Sequence, residues 1–244
     1  VTKEGLLMAS NLDKDAPIHI HIAEQQGEVD EVVQALGQRP VRWILDEFAI
    51  DKRWCFIHAT HTDNSELIDF AKSGAIAGLC PITEANLGDG VFDALTFFEN
   101  GGHFGIGSDS NVRIGLSEEL RMLEVSQRLR DQRRVVLSSE EVPSNGRYLY
   151  ERAAIGGAQA LARNSGVIEV GAYADLVALD DEHYSIAGLS NDTILDTWIF
   201  ASDDNIVRDV WAAGRHVVCD GAHFLHDKIN SKFRQTIKRL RNEL

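Results

Sequence analysis

Short apolar stretches alternate with helix-patterned segments through the first half of this chain, and that alternation leaves few folds open to it. Ile18 to Ala23, Trp54 to His58, Ala75 to Leu79 and Phe104 to Gly107 read as short strands. Leu6 to Leu12 is a brief helical stretch, and Glu28 to Leu36 and Val41 to Phe48 read as helices parted by Gly37 and Pro40. Asp63-Asn64-Ser65-Glu66 is a capping box opening a helix that runs to Lys72 and stops at Gly74. Val91 to Asn100 is a further helix, and Leu116 to Arg134 a long one, apolar at Leu116, Leu120, Leu123 and Leu129. Strands this short and apolar, separated by helices, imply a parallel sheet covered by helices, as an open α/β sheet or a barrel.

The polar residues sharpen the choice. In Pro17 to Gln25, Ile18, Ile20 and Ile22 alternate with His19 and His21, and Glu24 follows three residues after the second histidine. Neutral imidazole is a common metal ligand, and a carboxylate just past a strand end can move protons on a water. From this stretch alone, an ordinary strand with satisfied polar side chains reads as well. His21, Glu24, His58 and Asp109, however, all lie at or just past the C-terminal end of a strand. In a β/α barrel, catalytic groups from different strands converge at that end. A barrel takes about 30 residues per unit. Pro17 to Asp109 therefore holds three units and the start of a fourth, which makes either the first or the last four strands.

Past the long helix the pattern changes. Tyr148 to Ala162 is helical, Gly166 to Asp180 reads as a turn and a strand, and Ile206 to Trp211 with Arg215 to Val218 make a hairpin around Ala213-Gly214. Ile229, Phe233, Ile237 and Leu240 mark a last amphipathic helix. The expected division is a barrel segment over residues 1–163, β strands over 164–226 and a terminal helix over 227–244.

A formal net charge of −14 argues against nucleic-acid or anionic-membrane partners, which call for clustered Lys and Arg. Hydrophobic residues make up 44%, enough for a real core. Cys55, Cys80 and Cys219 are too widely spaced for a metal knuckle or a disulfide framework, so they read as small core residues in a reducing cytoplasm. The chain has no apolar run long enough to span a bilayer. Val1-Thr2-Lys3-Glu4-Gly5 has no initiating Met and reads as the middle of a longer protein.

HIHIAEQ (His19 to Gln25), FIHATH (Phe56 to His61), GLCPITEANLGDG (Gly78 to Gly90) and GIGSDS (Gly105 to Ser110) together resemble the motifs after strands five to eight of an amidohydrolase-superfamily barrel. GVIEVGAYADLVALD and VWAAGRHVV resemble the β-sandwich strands that flank such barrels. Within the superfamily the chain is most similar to the deiminases of N-formimidoyl-L-glutamate in histidine breakdown. AEQ, HATH and TEANLGDG carry that finer likeness. The resemblance implies the C-terminal half, strands 5–8, of a metal-dependent (β/α)8 TIM barrel plus a small β-sandwich segment. It implies one divalent ion, Zn²⁺ ahead of Fe²⁺, with His21 and Asp109 as ligands. Glu24 is then the acid/base that takes a proton from the attacking water and passes it to leaving ammonia. His58 orients the water or substrate, and Asp109 also holds the nucleophile. Thr83, Glu84 and Asn86 lie in the loop after strand seven, where substrate contacts collect beside His58, although a solvated, turn-forming loop reads as well. The implied reaction takes N-formimidoyl-L-glutamate to N-formyl-L-glutamate and ammonia, in a homodimer.

Each role has a plainer rival. His19 lies on the face of His21, but one strand rarely supplies two ligands here. Reading His19-x-His21 as the paired histidines of a first strand fails, since Asp109 would then close an eight-strand barrel after four. His61 reads as a loop residue, Arg113 as a salt bridge at the start of the following helix, and His103 as a structural residue ahead of its strand. His183, His216, His223 and His226 lie in the β layer and receive no role. The family also needs an HxH pair from strand one and substrate-gripping residues from strands one to four. Two ligands fall short of the three a catalytic zinc usually has. The expectation is therefore a C-terminal half that is inactive without its other half. The competing expectations are a deaminase of a purine, pyrimidine or triazine ring, and a catalytically silent structural partner.

Overall fold

The computed structural model describes residues 1–110, 112–202 and 206–243. Its elements run α1 (Lys3–Leu12), β1 (Ile18–Ile22), α2 (Gln26–Leu36), α3 (Pro40–Glu47), β2 (Trp54–His58), α4 (Asn64–Ser73), β3 (Ile76–Leu79), α5 (Pro81–Leu87), α6 (Ala94–Glu99), β4 (His103–Ile106) and α7 (Leu116–Asp131). Then follow α8 (Asn145–Ala160), β5 (Leu176–Leu179), α9 (Asp192–Phe200), β6 (Val207–Ala212), β7 (Arg215–Cys219), β8 (Ala222–His223) and α10 (His226–Glu243).

Strands β1 to β4 form one parallel sheet in sequence order. Ile22 pairs with His58 and Leu79 with Ile106, which brings the strand ends level. Alternation along the strands sorts the side chains between two faces. Ile22, Trp54, Phe56, Leu79 and Phe104 enter the main core beneath the helices. There Phe56 stacks on Phe70 and Phe98 on Phe104, with ring centroids 4.7 and 4.8 Å apart. Burying one such ring stabilises the fold by roughly 2–3 kcal/mol. His19, His21, Cys55, Ile57 and Ile76 take the opposite face, where Ala160 packs on Cys55 and Ile76. Burial drives the Cys55 and Cys80 thiols up to about 12. Both are therefore inert packing at neutral pH.

The Asp63 capping box forms as its sequence requires. The Glu66 N–H donates to Asp63 Oδ1 at 2.9 Å and the Asp63 N–H to Glu66 Oε2 at 2.7 Å, and Gly74 ends the helix at φ +81°. Along α8, Gly156 lies so close to β4 that a Cβ would fall 2.0 Å from the Phe104 carbonyl oxygen.

Several local expectations need correction. The stretch after β3 is not a loop. Pro81 stands at the start of a helix, α5, which carries Thr83, Glu84 and Asn86. Helix α6 is shorter than expected because Asp93 caps it, taking the Thr96 N–H. In α7 Leu120 and Leu123 are buried, while Leu116 and Leu129 are exposed. His103 is the first residue of β4 rather than a residue ahead of it.

Residues 164–226 also hold a helix, α9, and their strands β5 to β8 form one antiparallel sheet. Its β6–β7 hairpin turns on Ala213 and Gly214, both at positive φ, as a two-residue turn demands. Ile186, Trp198 and Ile206 make a small second core with Tyr150 of α8. The described residues of α10 bury no side chain, and Leu244 lies outside the described residues.

Candidate active site

Backbone bends just past the strand ends aim the polar residues. Ala23 (φ +51°), His58 (φ +67°), Ala59 (φ +50°) and Asp109 (φ +49°) all adopt the left-handed conformation. Each such bend costs on the order of 1 kcal/mol in a residue other than glycine and persists only when its surroundings impose it. Here they do. The Ala59 N–H donates to the Ile22 carbonyl at 3.0 Å, and the His61 N–H to the Ala23 carbonyl at 2.9 Å. The N–H groups of Ala23 and Glu24 both donate to the Glu28 carboxylate, at 2.9 and 3.0 Å. Glu28 stands in the first turn of α2 and reaches back as the acidic member of a capping box does.

Three carboxylate and imidazole groups meet as a result. His58 Nε2 lies 3.7 Å from Glu24 Oε1 and 3.9 Å from Asp109 Oδ2. Ligand-capable atoms of Glu24, His58 and Asp109 all fall within 4.8 Å of one another. His21, exposed on the open face of β1, brings its ring centroid to 5.5 Å from that of His58.

His58 itself is 1% exposed and held from behind. Its Nδ1 faces Glu84 Oε1 at 3.2 Å, and that oxygen also accepts the Cys80 N–H at 3.0 Å. An ionised carboxylate can only accept, so this network assigns the proton to Nδ1 and leaves Nε2 facing Glu24 and Asp109.

Thr83 works on the other side. Its buried hydroxyl donates to the Ser108 carbonyl at 3.1 Å, accepts the Ser110 N–H at 3.2 Å and meets Ser110 Oγ at 2.8 Å. It thereby grips the loop that carries Asp109 from both sides. Asn86, at the far end of α5, is exposed.

The electrostatics follow from crowding carboxylates around His58 and His21. Partial burial lifts the Glu24 carboxyl above its ordinary value. The charges of Asp89 and Asp109 lift it further, against His58 and His21. Burial works against the charged form of His58. The hydrogen bond to Glu84 and the charges of Glu24, Glu84 and Asp109 outweigh it and raise its pKa. The set suits an electron-poor or cationic guest.

Other histidines have structural partners. His19 Nε2 donates to the Ala160 carbonyl at 2.7 Å, and His61 Nε2 to the Asp89 carbonyl at 2.6 Å. Arg113 faces Glu118 at 3.9 Å, at the start of α7 as expected. Asp209, His216 and Cys219 also bring ligand-capable atoms within 4.8 Å of one another on the β6–β7 hairpin, but Arg208 and His216 already occupy the Asp209 carboxylate, at 3.0 and 2.7 Å. Four residues near the site escaped the sequence reading: Gln25, Glu28, Asp89 and Glu119. Glu28 left a signal as an acidic residue in the first turn of a helix, and Gln25 and Asp89 lie within the AEQ and TEANLGDG motifs without a role read from them.

The chain matches the sequence profile described as the amidohydrolase family over residues 1–217. A formimidoylglutamate deiminase from Pseudomonas aeruginosa is 49% identical over 226 residues, which are 93% of this chain and 50% of that protein. A 5-methylthioadenosine/S-adenosylhomocysteine deaminase from Halobacterium salinarum is 29% identical over 224 residues, 91% of this chain and 48% of that protein. Among solved structures, an amidohydrolase from Brucella melitensis superposes with a TM-score of 0.93 at 47% identity, covering 98% of this chain and 53% of that one. An adenosine deaminase from Xanthomonas campestris with bound zinc gives 0.85 at 26% identity, covering 98% and 54%. The chain thus spans about half the length of the relatives it matches.

Proposed function

The chain belongs to the amidohydrolase family, and from that premise we propose that it forms the proton-handling half of a metal-dependent deiminase of N-formimidoyl-L-glutamate. The observation that carries this reading is the meeting of Glu24, His58 and Asp109 within 4.8 Å at the ends of parallel strands, in a chain 49% identical to a formimidoylglutamate deiminase. Strands β1 to β4 are then the last four of a (β/α)8 barrel. The remaining strands and the HxH pair come from a segment equivalent to the other half of the relatives.

The residues fit a divalent ion. This reading assigns the ion to His21 and Asp109, whose nitrogen and carboxylate oxygen are donors that Zn²⁺ and Fe²⁺ accept. Asp109 meets Glu24 and His58 within 4.8 Å, and the His21 ring centroid lies 5.5 Å from that of His58. Zinc appears in the Xanthomonas relative, which favours Zn²⁺ here. The ion would supply Lewis acidity, bringing the pKa of a water to about 7.

The protein's own groups do the rest. Glu24, its pKa raised, takes a proton from the attacking water as that water's oxygen bonds to the formimidoyl carbon. The same carboxyl passes that proton to the formimidoyl nitrogen. It then takes the proton of the new hydroxyl and passes it to that nitrogen too, so that C=O forms as the C–N bond breaks and ammonia leaves. His58, fixed by Glu84 and raised in pKa by the carboxylates around it, meets the developing negative charge with Nε2–H when it carries its second proton. Thr83 and Glu84 serve this site through Asp109 and His58. The same reading includes one ion per chain, a cytoplasmic homodimer and domain limits at residues 163 and 226. Among the described residues no helix is long and apolar enough to cross a membrane.

The test is to express the full-length protein that contains this chain, measure bound metal and assay ammonia release from N-formimidoyl-L-glutamate. About one metal per chain with turnover supports the reading. Metal should be lost in Asp109→Ala, and turnover in both Asp109→Ala and Glu24→Ala. Metal with turnover of a ring aminopurine alone points instead to the substrates of the Halobacterium relative. Absence of metal sinks the mechanism.

A further inference from the structure

Gln25 and Asp89 form a pair beside this centre that the mechanism above leaves unused. Gln25 directly follows Glu24 and its side chain is exposed, while Asp89 is only 8% exposed. Gln25 Nε2 donates to Asp89 Oδ1 at 3.0 Å. Asp89 is pinned by its backbone on both sides, its N–H bonded to the Glu84 carbonyl at 2.9 Å and its carbonyl to His61 Nε2 at 2.6 Å. Its second carboxylate oxygen, Oδ2, is buried without a hydrogen-bond partner among the described residues. Its bond to Gln25 ties Asp89 to the residue next to Glu24, and its charge raises the pKa of the Glu24 carboxyl.

An amide held by a carboxylate has one orientation open to it. The carboxylate only accepts, so the Gln25 NH₂ must face Asp89 and its carbonyl oxygen must turn away. Gln25 adjoins Glu24 in the chain, so that oxygen is an oriented acceptor next to the acid, and the Asp89 carboxylate that orients it lacks a partner at Oδ2 among the described residues. A guest that donates N–H and carries positive charge answers both. A formimidoyl amidine is such a guest, since its protonated form is a planar cation with N–H groups. A neutral ring amidine donates but brings no charge.

We propose that Gln25, oriented by Asp89, is a specificity-determining residue whose amide oxygen accepts a hydrogen bond from the amidinium N–H of the substrate. Asp89 is the positioning residue behind it, and its buried charge favours cationic amidines over neutral ones. The proposal deepens the deiminase reading and rests on it.

The test titrates formamidinium chloride and neutral formamide into the full-length protein by calorimetry, beside steady-state kinetics with N-formimidoyl-L-glutamate. Wild type should prefer formamidinium. Gln25→Leu should lose about 10- to 100-fold in formamidinium affinity and raise KM by a like factor, with metal content and melting temperature held. Asp89→Asn, which lets the Gln25 amide turn either way, should narrow the preference for the cation over formamide. A merely structural role would lower melting temperature and kcat without touching that preference. Equal formamidinium affinity in wild type and Gln25→Leu overturns the proposal. That comparison holds even if wild type fails to turn over N-formimidoyl-L-glutamate, a result that would count against the deiminase reading instead.

Discussion

His58 Nδ1 and Glu84 Oε1 stand 3.2 Å apart, and this one bond decides which face of the imidazole meets the reacting centre. With Nδ1 engaged, Nε2 is the only ring nitrogen turned toward Glu24 and Asp109. Glu84→Ala frees the ring to rotate and removes the proton's anchor. Supporting carboxylates of this kind are worth about 10- to 100-fold in activity. The expected outcome is a fall of that size in kcat at near-constant KM, read from ammonia release. A KM change at constant kcat would instead make Glu84 a substrate contact.

Thr83 ties the loop that carries Asp109. Thr83→Val keeps the shape and removes the hydroxyl from its contacts with Ser108 and Ser110. Loss of these buried bonds should cost about 1–3 kcal/mol of stability, read by urea denaturation. Zinc affinity, read by chelator competition, should fall about tenfold with it, because the Asp109 loop loosens. Unchanged zinc affinity would remove Thr83 from the site's support.

Glu119 makes stability depend on pH. It is 1% exposed, its Oε2 takes the Ile82 N–H at 2.9 Å, and its Oε1 has no partner among the described residues. Burial pushes its carboxyl up to about 7, from an ordinary value of 4.5. A folded pKa above the unfolded one means that the fold favours the protonated acid. That stabilisation is whole below pH 4.5 and is lost as pH rises through 7. Glu119→Gln should therefore gain on wild type by up to about 3 kcal/mol between pH 4.5 and pH 8. Unfolding free energies measured across that range should diverge. A constant difference would refute the account.

Gly156 and Gly157 are neighbours in α8 with opposite surroundings. A Cβ on Gly156 meets the Phe104 backbone, while one on Gly157 meets nothing within 4 Å. Gly156→Ala should destabilise by about 3 kcal/mol or more, since backbone cannot step aside. Gly157→Ala should stabilise by up to about 1 kcal/mol through helix propensity. Thermal melts of the two variants should move in opposite directions.

The parallel sheet could be read from the sequence because its strands are short, apolar and bounded by helices with visible caps, such as Asp63 with Glu66. Convergence of Glu24, His58 and Asp109 followed from their places at strand ends. Helix α5 could not be read, since Pro81 signals a break in sequence but is well suited to a first helical turn. Helix α9 opens on Asn191 with no side-chain cap to announce it. Gln25 and Asp89 lie in quoted motifs, but their bond joins segments 64 residues apart, and Glu119 acts through a contact with Ile82; neither pairing shows in a local pattern.

The bends at Ala23 and Ala59 bear on angular precision. Alanine has only a small left-handed region open to it, whereas glycine crosses that region freely. A bend built on alanine therefore has one setting, and the directions of Glu24 and His58 are fixed within a narrow cone. A misplacement of about 1 Å at a reacting group can cost roughly 100-fold in rate. The strained alanines thus act as stops that set the aim of the groups they adjoin.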